Sequence, residues 1–186
     1  MARFSIPTKA EVTEDNQLIF DNLEKGLGFV PNLYAYYATN ETALGDYLTF
    51  QNRKSTLSKK EIEIVNLVVS QYNDCGYCLS AHTVVAGMNG FSSEEILEVR
   101  NNTTHKDSKL AALADFTLAV TKEKGKVSNQ QKENFFAAGY SEANLIDVVL
   151  KIGDKVISNY IHNIADFAID FPLAPQVEEA SPAEVG

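Results

Sequence analysis

The chain has 186 residues, 45% of them hydrophobic and 22% charged, enough for one domain with a real core that needs no staple or metal. A net charge of −9 offers no lysine-rich stripe to neutralise phosphates, which argues against a nucleic-acid partner and mainly indicates solubility. Two cysteines are too few for a disulfide scaffold, and neither a signal-peptide core nor a membrane-spanning apolar run is visible, so a cytoplasmic protein with reduced thiols and no membrane association is expected.

In chain order, helix punctuation is frequent and strand signals are nearly absent. Thr13 predicts a helix to about Lys25, closed by Gly26 and Gly28 before Pro31 starts another. Asn40 precedes a helical stretch with Leu44, Tyr47, Leu48 and Gln51. Ser58 and Glu61 form an S-x-x-E capping box ahead of an apolar run over 62–69. VNLVVS has strand character but lies inside that capped frame, so it reads as buried helix. Asp74 is placed to cap the next helix, which runs to about Met88 before Gly90. Ser92 with Glu95, Asp107, Ser128 with Gln131, and Ser141 open four more, the last reaching about Ile169. Short connections suit antiparallel neighbours. The expectation is a single all-α domain of about eight helices over residues 1–171. From Pro172 onward, PLAPQVEEASPAEVG reads as a flexible acidic tail, residues 172–186.

The chemistry concentrates in DCGYCLSAH, residues 74–82. Cys75, Cys78 and His82 are spaced i, i+3, i+7 and share one helix face. With Asp74 as cap, both sulfurs lie at the first turn, where unpaired N–H groups and the macrodipole favour thiolate. His82 leans back over Cys78, one turn away, whereas Cys75 is ~10 Å along the axis. Cys78 is therefore the candidate nucleophile, assisted by His82 directly or through a water, and Cys75 the resolving partner. A bond between them requires the first turn to deform, because helical i, i+3 Cβ atoms sit ~5–6 Å apart while a disulfide prefers about 3.5–4.5 Å. Such a bond is strained, partly exposed and easily reduced.

A histidine base needs an orienting partner, and Glu63 on the preceding helix is the candidate. In an antiparallel hairpin turning near Asn73, Glu63 lies ~16 Å and His82 ~13 Å from the turn, an offset two side chains can span. Glu63 alternatively forms a solvated stripe with Asn66 and Ser70. The cluster also has zinc-ligand chemistry: C-x2-C is ligand spacing, and His82 and Glu63 complete a four-ligand set. A non-enzymatic zinc-binding or interaction module is thus the alternative. Tyr34, Tyr36 and Tyr37 are pocket-lining or core residues, and His105 and His162 read as packing or surface positions.

The pattern E-x11-C-x2-C-x3-H (Glu63, Cys75, Cys78, His82), with LGFVPNLY at 27–34 and ISNYIHNIADFAIDFPL at 157–173, resembles the alkylhydroperoxidase D-like (AhpD-like), peroxidase-related branch of the carboxymuconolactone decarboxylase family. The resemblance implies an AhpD-like helical fold and thiol-dependent reduction of hydroperoxides without a cofactor. It also implies re-reduction by a lipoyl-bearing or thioredoxin-like dithiol protein, and homo-oligomers, often trimers or hexamers. The best-studied relatives carry a histidine before the second cysteine, where this chain has Tyr77.

Overall fold

The computed structural model describes residues 4–103 and 107–177; His105 and residues 178–186 of the expected tail lie outside them. After a 3-10 turn at Lys9–Glu11 come α1 (Glu14–Leu27), α2 (Asn32–Tyr37), α3 (Ala43–Gln51), α4 (Lys59–Tyr72), α5 (Gly76–Met88), α6 (Ser93–Arg100), α7 (Ser108–Lys122), α8 (Asn129–Ala137) and α9 (Glu142–Ala165). No strand occurs among the described residues. The all-α expectation holds, with eight substantial helices and the short turn-and-a-half of α2 among the described residues.

Capping chemistry sets most boundaries where the sequence places them. Thr13 accepts from the Asn16 amide, and Ser58, Ser92, Ser128 and Ser141 each close a reciprocal capping box. Asp107 accepts from the amides of Lys109 and Leu110. Gly28, at φ +84°, ends α1 in a left-handed turn that a Cβ would disfavour.

Two boundaries differ from expectation. Asp74 does not cap α5. It sits at φ +49° as the left-handed residue of a Schellman closure of α4, in which Asp74 N donates to Gln71 O and Cys75 N to Ser70 O. Cys75 is therefore not the first helical residue but the N-cap of α5. At the other end of the chain, α9 stops at Ala165 rather than near Ile169, because Asp166 takes a left-handed conformation (φ +46°) and its amide returns to His162 O. The freed segment is what closes the site. Asn32 donates its backbone N–H to Asp170 and its side chain to Ala168 O. Further along, Ala174 N donates to Ser80 Oγ and Arg100 Nη1 to Pro175 O, so the start of the segment expected to be a tail is held against α5 and α6.

Helix α4 is the centre of the bundle, packing against α5, α6, α7 and α9. Its flank and those of α6–α9 form one apolar core, with Ile64, Leu67, Leu113, Phe116, Phe135 and Val148. A second core joins α1–α3 to the start of α5 and the segment after α9, and contains Phe20, Leu33, Leu44, Tyr47, Cys75, Tyr77, Cys78 and Phe167. The cysteines thus sit under a roof of N-terminal helices. Helix α9 runs along both cores, contributing Val148 and Ile152 to the first and Ala165 to the second. It buries Asp147, Asp154, Lys155, Ser158, Asn159 and His162, and leaves Ile146, Val149, Ile157, Tyr160 and Ile164 exposed.

Candidate active site

The Schellman turn delivers Cys75 to the N-cap, from which its sulfur accepts the Cys78 backbone N–H at 3.4 Å. Both thiols are buried, not partly exposed as the sequence suggested, because α1–α3 cover the hairpin. Their environments differ. Cys78 lines a cavity of about 180 Å³, together with Leu33, Tyr34, Tyr77, His82, Lys155 and Phe171. Cys75 is not part of that lining and is sealed at 0% exposure.

The two sulfurs share a proton unequally. Donation from the Cys75 thiol stabilises the Cys78 thiolate and outweighs the cost of burial, with help from the Lys155 charge and the Asn159 amide. Cys78 is held down to about 6. Cys75 is pushed far up by the same hydrogen bond and by burial. At neutral pH the pair is one thiolate and one thiol.

Glu63 and His82 meet as the hairpin geometry requires, with His82 Nδ1 2.8 Å from Glu63 Oε2. Glu63 is not on a solvated stripe. It is 4% exposed, Asn66 Nδ2 donates to its other oxygen at 3.0 Å, and Ser70 is buried against Asn159. Burial alone would raise the Glu63 carboxyl, but attraction and hydrogen bonding from His82, with Lys155 and Asn66, hold it below the ordinary carboxylate range. Nδ1 therefore carries the proton donated to Glu63.

The other ring nitrogen brings a residue the sequence reading missed. His82 Nε2 lies 3.0 Å from Lys155 Nζ on α9, so histidine faces an ammonium rather than the Cys78 sulfur. Lys155 is 3% exposed. Burial pushes it down, but Asp154, with the Cys78 and Glu63 charges, more than restores it and keeps it cationic. Asp154 is itself paired with Lys151 at 2.9 Å. A chain Glu63–His82–Lys155 thus ends at the cavity wall beside Cys78. The signal available in the sequence was the adjacent charges Asp154 and Lys155 within the last long helix, in GDKVISNY.

Tyr34 lines the cavity and donates to Gln51 Oε1 at 2.7 Å. Tyr36 packs on Phe4 and Phe167, and Tyr37 stacks on Tyr47, so two of the three tyrosines are packing residues. His162 is buried beneath Tyr77 and hydrogen-bonded to Phe167 O. Tyr77 fills the place between that histidine, Phe167 and Phe171, with its hydroxyl accepting from Leu33 N. As for zinc, no group of three or more His, Cys, Asp or Glu side chains among the described residues is arranged to hold a metal ion. Both His82 nitrogens are committed, one of them to a cation that would oppose metal binding.

Glu63→Gln is expected to slow alkylation of Cys78 at pH 7 by roughly tenfold, because an amide no longer fixes the proton on Nδ1 and the ring loses its tautomer. Thermal unfolding of the same variant separates this from destabilisation. A variant that unfolds earlier but alkylates normally would reduce Glu63 to a packing residue.

These features define a class: an all-helical thiol protein whose cysteine pair opens a helix beneath a buried Glu–His–Lys network. Residues 35–104, which include Glu63, Cys75, Cys78 and His82, match the model of the Carboxymuconolactone decarboxylase family. The chain as a whole has an AhpD-like fold. An uncharacterized peroxidase-related protein from Ralstonia eutropha, described as an alkylhydroperoxidase AhpD core, superposes with a TM-score of 0.83 at 21% identity, over 90% of this chain and 92% of that one. A peroxidase-related protein from a Silicibacter species gives 0.80 at 21% identity, over 90% of each chain. A cysteine-to-alanine variant of the debrominase Bmp8, in complex with 2,3,4-tribromopyrrole, gives 0.75 at 15% identity, over 91% and 92%. No curated protein matches the sequence. No helix among the described residues is long and apolar enough to cross a membrane.

Proposed function

We propose that the protein is a thiol-dependent hydroperoxide reductase with Cys78 as nucleophile. The observation that carries this reading is a thiolate at the wall of a small, largely apolar cavity, beside a buried network that can move a proton. Cys78 thiolate attacks the distal peroxide oxygen and the O–O bond breaks. Sulfur becomes a sulfenic acid, and the leaving alkoxide takes a proton from the Lys155–His82 pair. The Cys75 thiol then attacks the sulfenic sulfur, releasing water and forming the intrachain disulfide. An external dithiol, on a lipoyl-bearing or thioredoxin-like protein, returns both thiols and is itself oxidised. The AhpD-like relatives support this chemistry by fold.

A second reading is reductive dehalogenation of a small haloaromatic, favoured by the aromatic wall of Tyr34, Tyr77 and Phe171 and by the fold shared with a debrominase. In that reaction the dithiol is oxidised to the disulfide as bromide leaves and a proton takes its place on the ring. One assay covers both. Reduced protein is mixed with cumene hydroperoxide or 2,3,4-tribromopyrrole and with dihydrolipoamide or thioredoxin, and peroxide loss and bromide release are followed. Catalytic peroxide loss with dithiol turnover is the expected result. Bromide release without peroxide consumption selects the second reading, and neither activity overturns both.

A further inference from the structure

Tyr77 stands between the two cysteines, and the reaction at Cys78 leaves its hydroxyl unused. The residue is 2% exposed, its ring wedged among His162, Phe167 and Phe171 with centroid separations of 5.0, 5.5 and 5.6 Å. A ring packed in this way holds its hydroxyl in one place. That hydroxyl accepts the Leu33 backbone N–H at 3.2 Å. Burial first, and then the Asp170 carboxylate nearby, push the Tyr77 pKa far up, so the group stays a neutral hydroxyl.

Leu33 belongs to α2, part of the roof of the cavity. Helix α2 has six residues, far short of the ~12–15 at which an isolated helix holds its shape in water. Its N-cap is Pro31, which offers no side-chain acceptor, so its first amides need partners elsewhere. They find them in two distant parts of the chain. Asn32 N–H donates to Asp170 Oδ2 at 2.6 Å, and Leu33 N–H donates to Tyr77 Oη. Asn32 Nδ2 adds a bond to Ala168 O at 3.0 Å, on the same segment as Asp170. Helix α2 is thus capped in trans, from the C-x-x-C turn and from the segment that follows α9. Pro31, Leu33 and Tyr34 line the cavity together with Cys78. The room above the sulfur therefore depends on where these contacts hold the first turn of α2.

We propose that Tyr77 and Asp170 are positioning residues: they pin the first turn of α2 over Cys78 and so set how large a molecule reaches its sulfur. This role rests on Cys78 as the reacting thiol of the proposed function, and holds for any substrate that enters the cavity. The test compares alkylation of Cys78 by iodoacetamide and by N-(1-pyrenyl)iodoacetamide, with the modified residue mapped by mass spectrometry. The two reagents share one reactive group, but the pyrene crowds a cavity of about 180 Å³. Tyr77→Phe keeps the ring and removes only the hydroxyl. It is expected to raise the pyrenyl-to-parent rate ratio roughly fivefold, while the pH midpoint of the reaction stays at about 6. Amide exchange at Leu33 is expected to quicken by roughly tenfold in this variant, with exchange in α4 unchanged. Asp170→Ala should follow Tyr77→Phe, whereas Asp170→Asn, which keeps an oxygen for the Asn32 amide, should stay near the wild-type ratio. An unchanged ratio in Tyr77→Phe and Asp170→Ala would overturn the proposal. So would a shifted pH midpoint or faster exchange throughout α4, which would mark a change at the thiolate or in the whole fold. Absence of peroxide turnover in a wild type that keeps this size selection would count against the peroxidase reading alone.

Discussion

Cys78→Ser is expected to reduce peroxide turnover to the uncatalysed background, whereas Cys75→Ser still undergoes one oxidation per chain and stops at a Cys78 sulfenic acid. Access and acidity agree on this assignment. Cys78 lines the cavity and Cys75 is sealed behind it. With Cys78 held at about 6, about 90% of it is thiolate at pH 7. The serine at position 75 still donates a hydrogen bond, so Cys78 stays acidic in that variant while the resolving step is lost. Trapping the sulfenic acid with a dimedone probe and mapping it by mass spectrometry checks the outcome. Repeated turnover by Cys75→Ser, or labelling of Cys75 in wild type, would reverse the roles. In the wild type the oxidised product should be an intrachain Cys75–Cys78 bond that leaves no free thiol.

Lys155→Met is expected to produce the largest change in pH dependence. Lys155 is the leading charge among the groups that stabilise the Cys78 thiolate, and it also accounts for the cationic end of the Glu63–His82 relay. The Cys78 pKa is depressed in the folded protein, so reactivity is present above about pH 6 and lost as pH falls through that value. Without the ammonium the midpoint rises. The Cys75 hydrogen bond remains, so the loss in alkylation rate at pH 7 stays below the roughly 30-fold that a full return to the ordinary thiol value of about 8.5 would give. The readout is the midpoint of alkylation rate against pH, which a purely structural role would not move. Asp154 keeps Lys151 as a partner in this variant, which limits the cost to the fold.

The parts of this molecule legible in its sequence are those set by local chemistry. Serine caps three residues ahead of Glu, Gln or Asn satisfy their own helix starts, so Ser58, Ser92, Ser128 and Ser141 read correctly in isolation. The Glu63–His82 contact was also legible, because a short hairpin fixes the register of its two helices. Asp74 misled because aspartate serves two local purposes: it caps helices, and it also tolerates the left-handed turn that ends them. Which one wins depended on where Ser70 and Gln71 offered their carbonyls. Lys155 and Asn159 escaped notice for a different reason. They reach the cysteines from more than 70 residues away, through the packing of α9 on α4 and α5, and no local spacing encodes that approach. Burial of the thiols was likewise hidden, since their roof comes from α1–α3 and from a segment freed by the early stop of α9.

The unequal sharing of one proton between Cys75 and Cys78 also sets how many protons accompany each pair of electrons. Above about pH 6 the reduced pair holds a single proton, on Cys75, so reducing the disulfide takes up two electrons and one proton. Its midpoint potential should then fall by about 30 mV per pH unit, rather than the ~59 mV of a couple that takes up two. Below about pH 6 Cys78 is protonated as well, and the steeper dependence returns. A potential–pH plot therefore bends near pH 6, and the protein gains reducing power more slowly than an ordinary dithiol as its surroundings become alkaline.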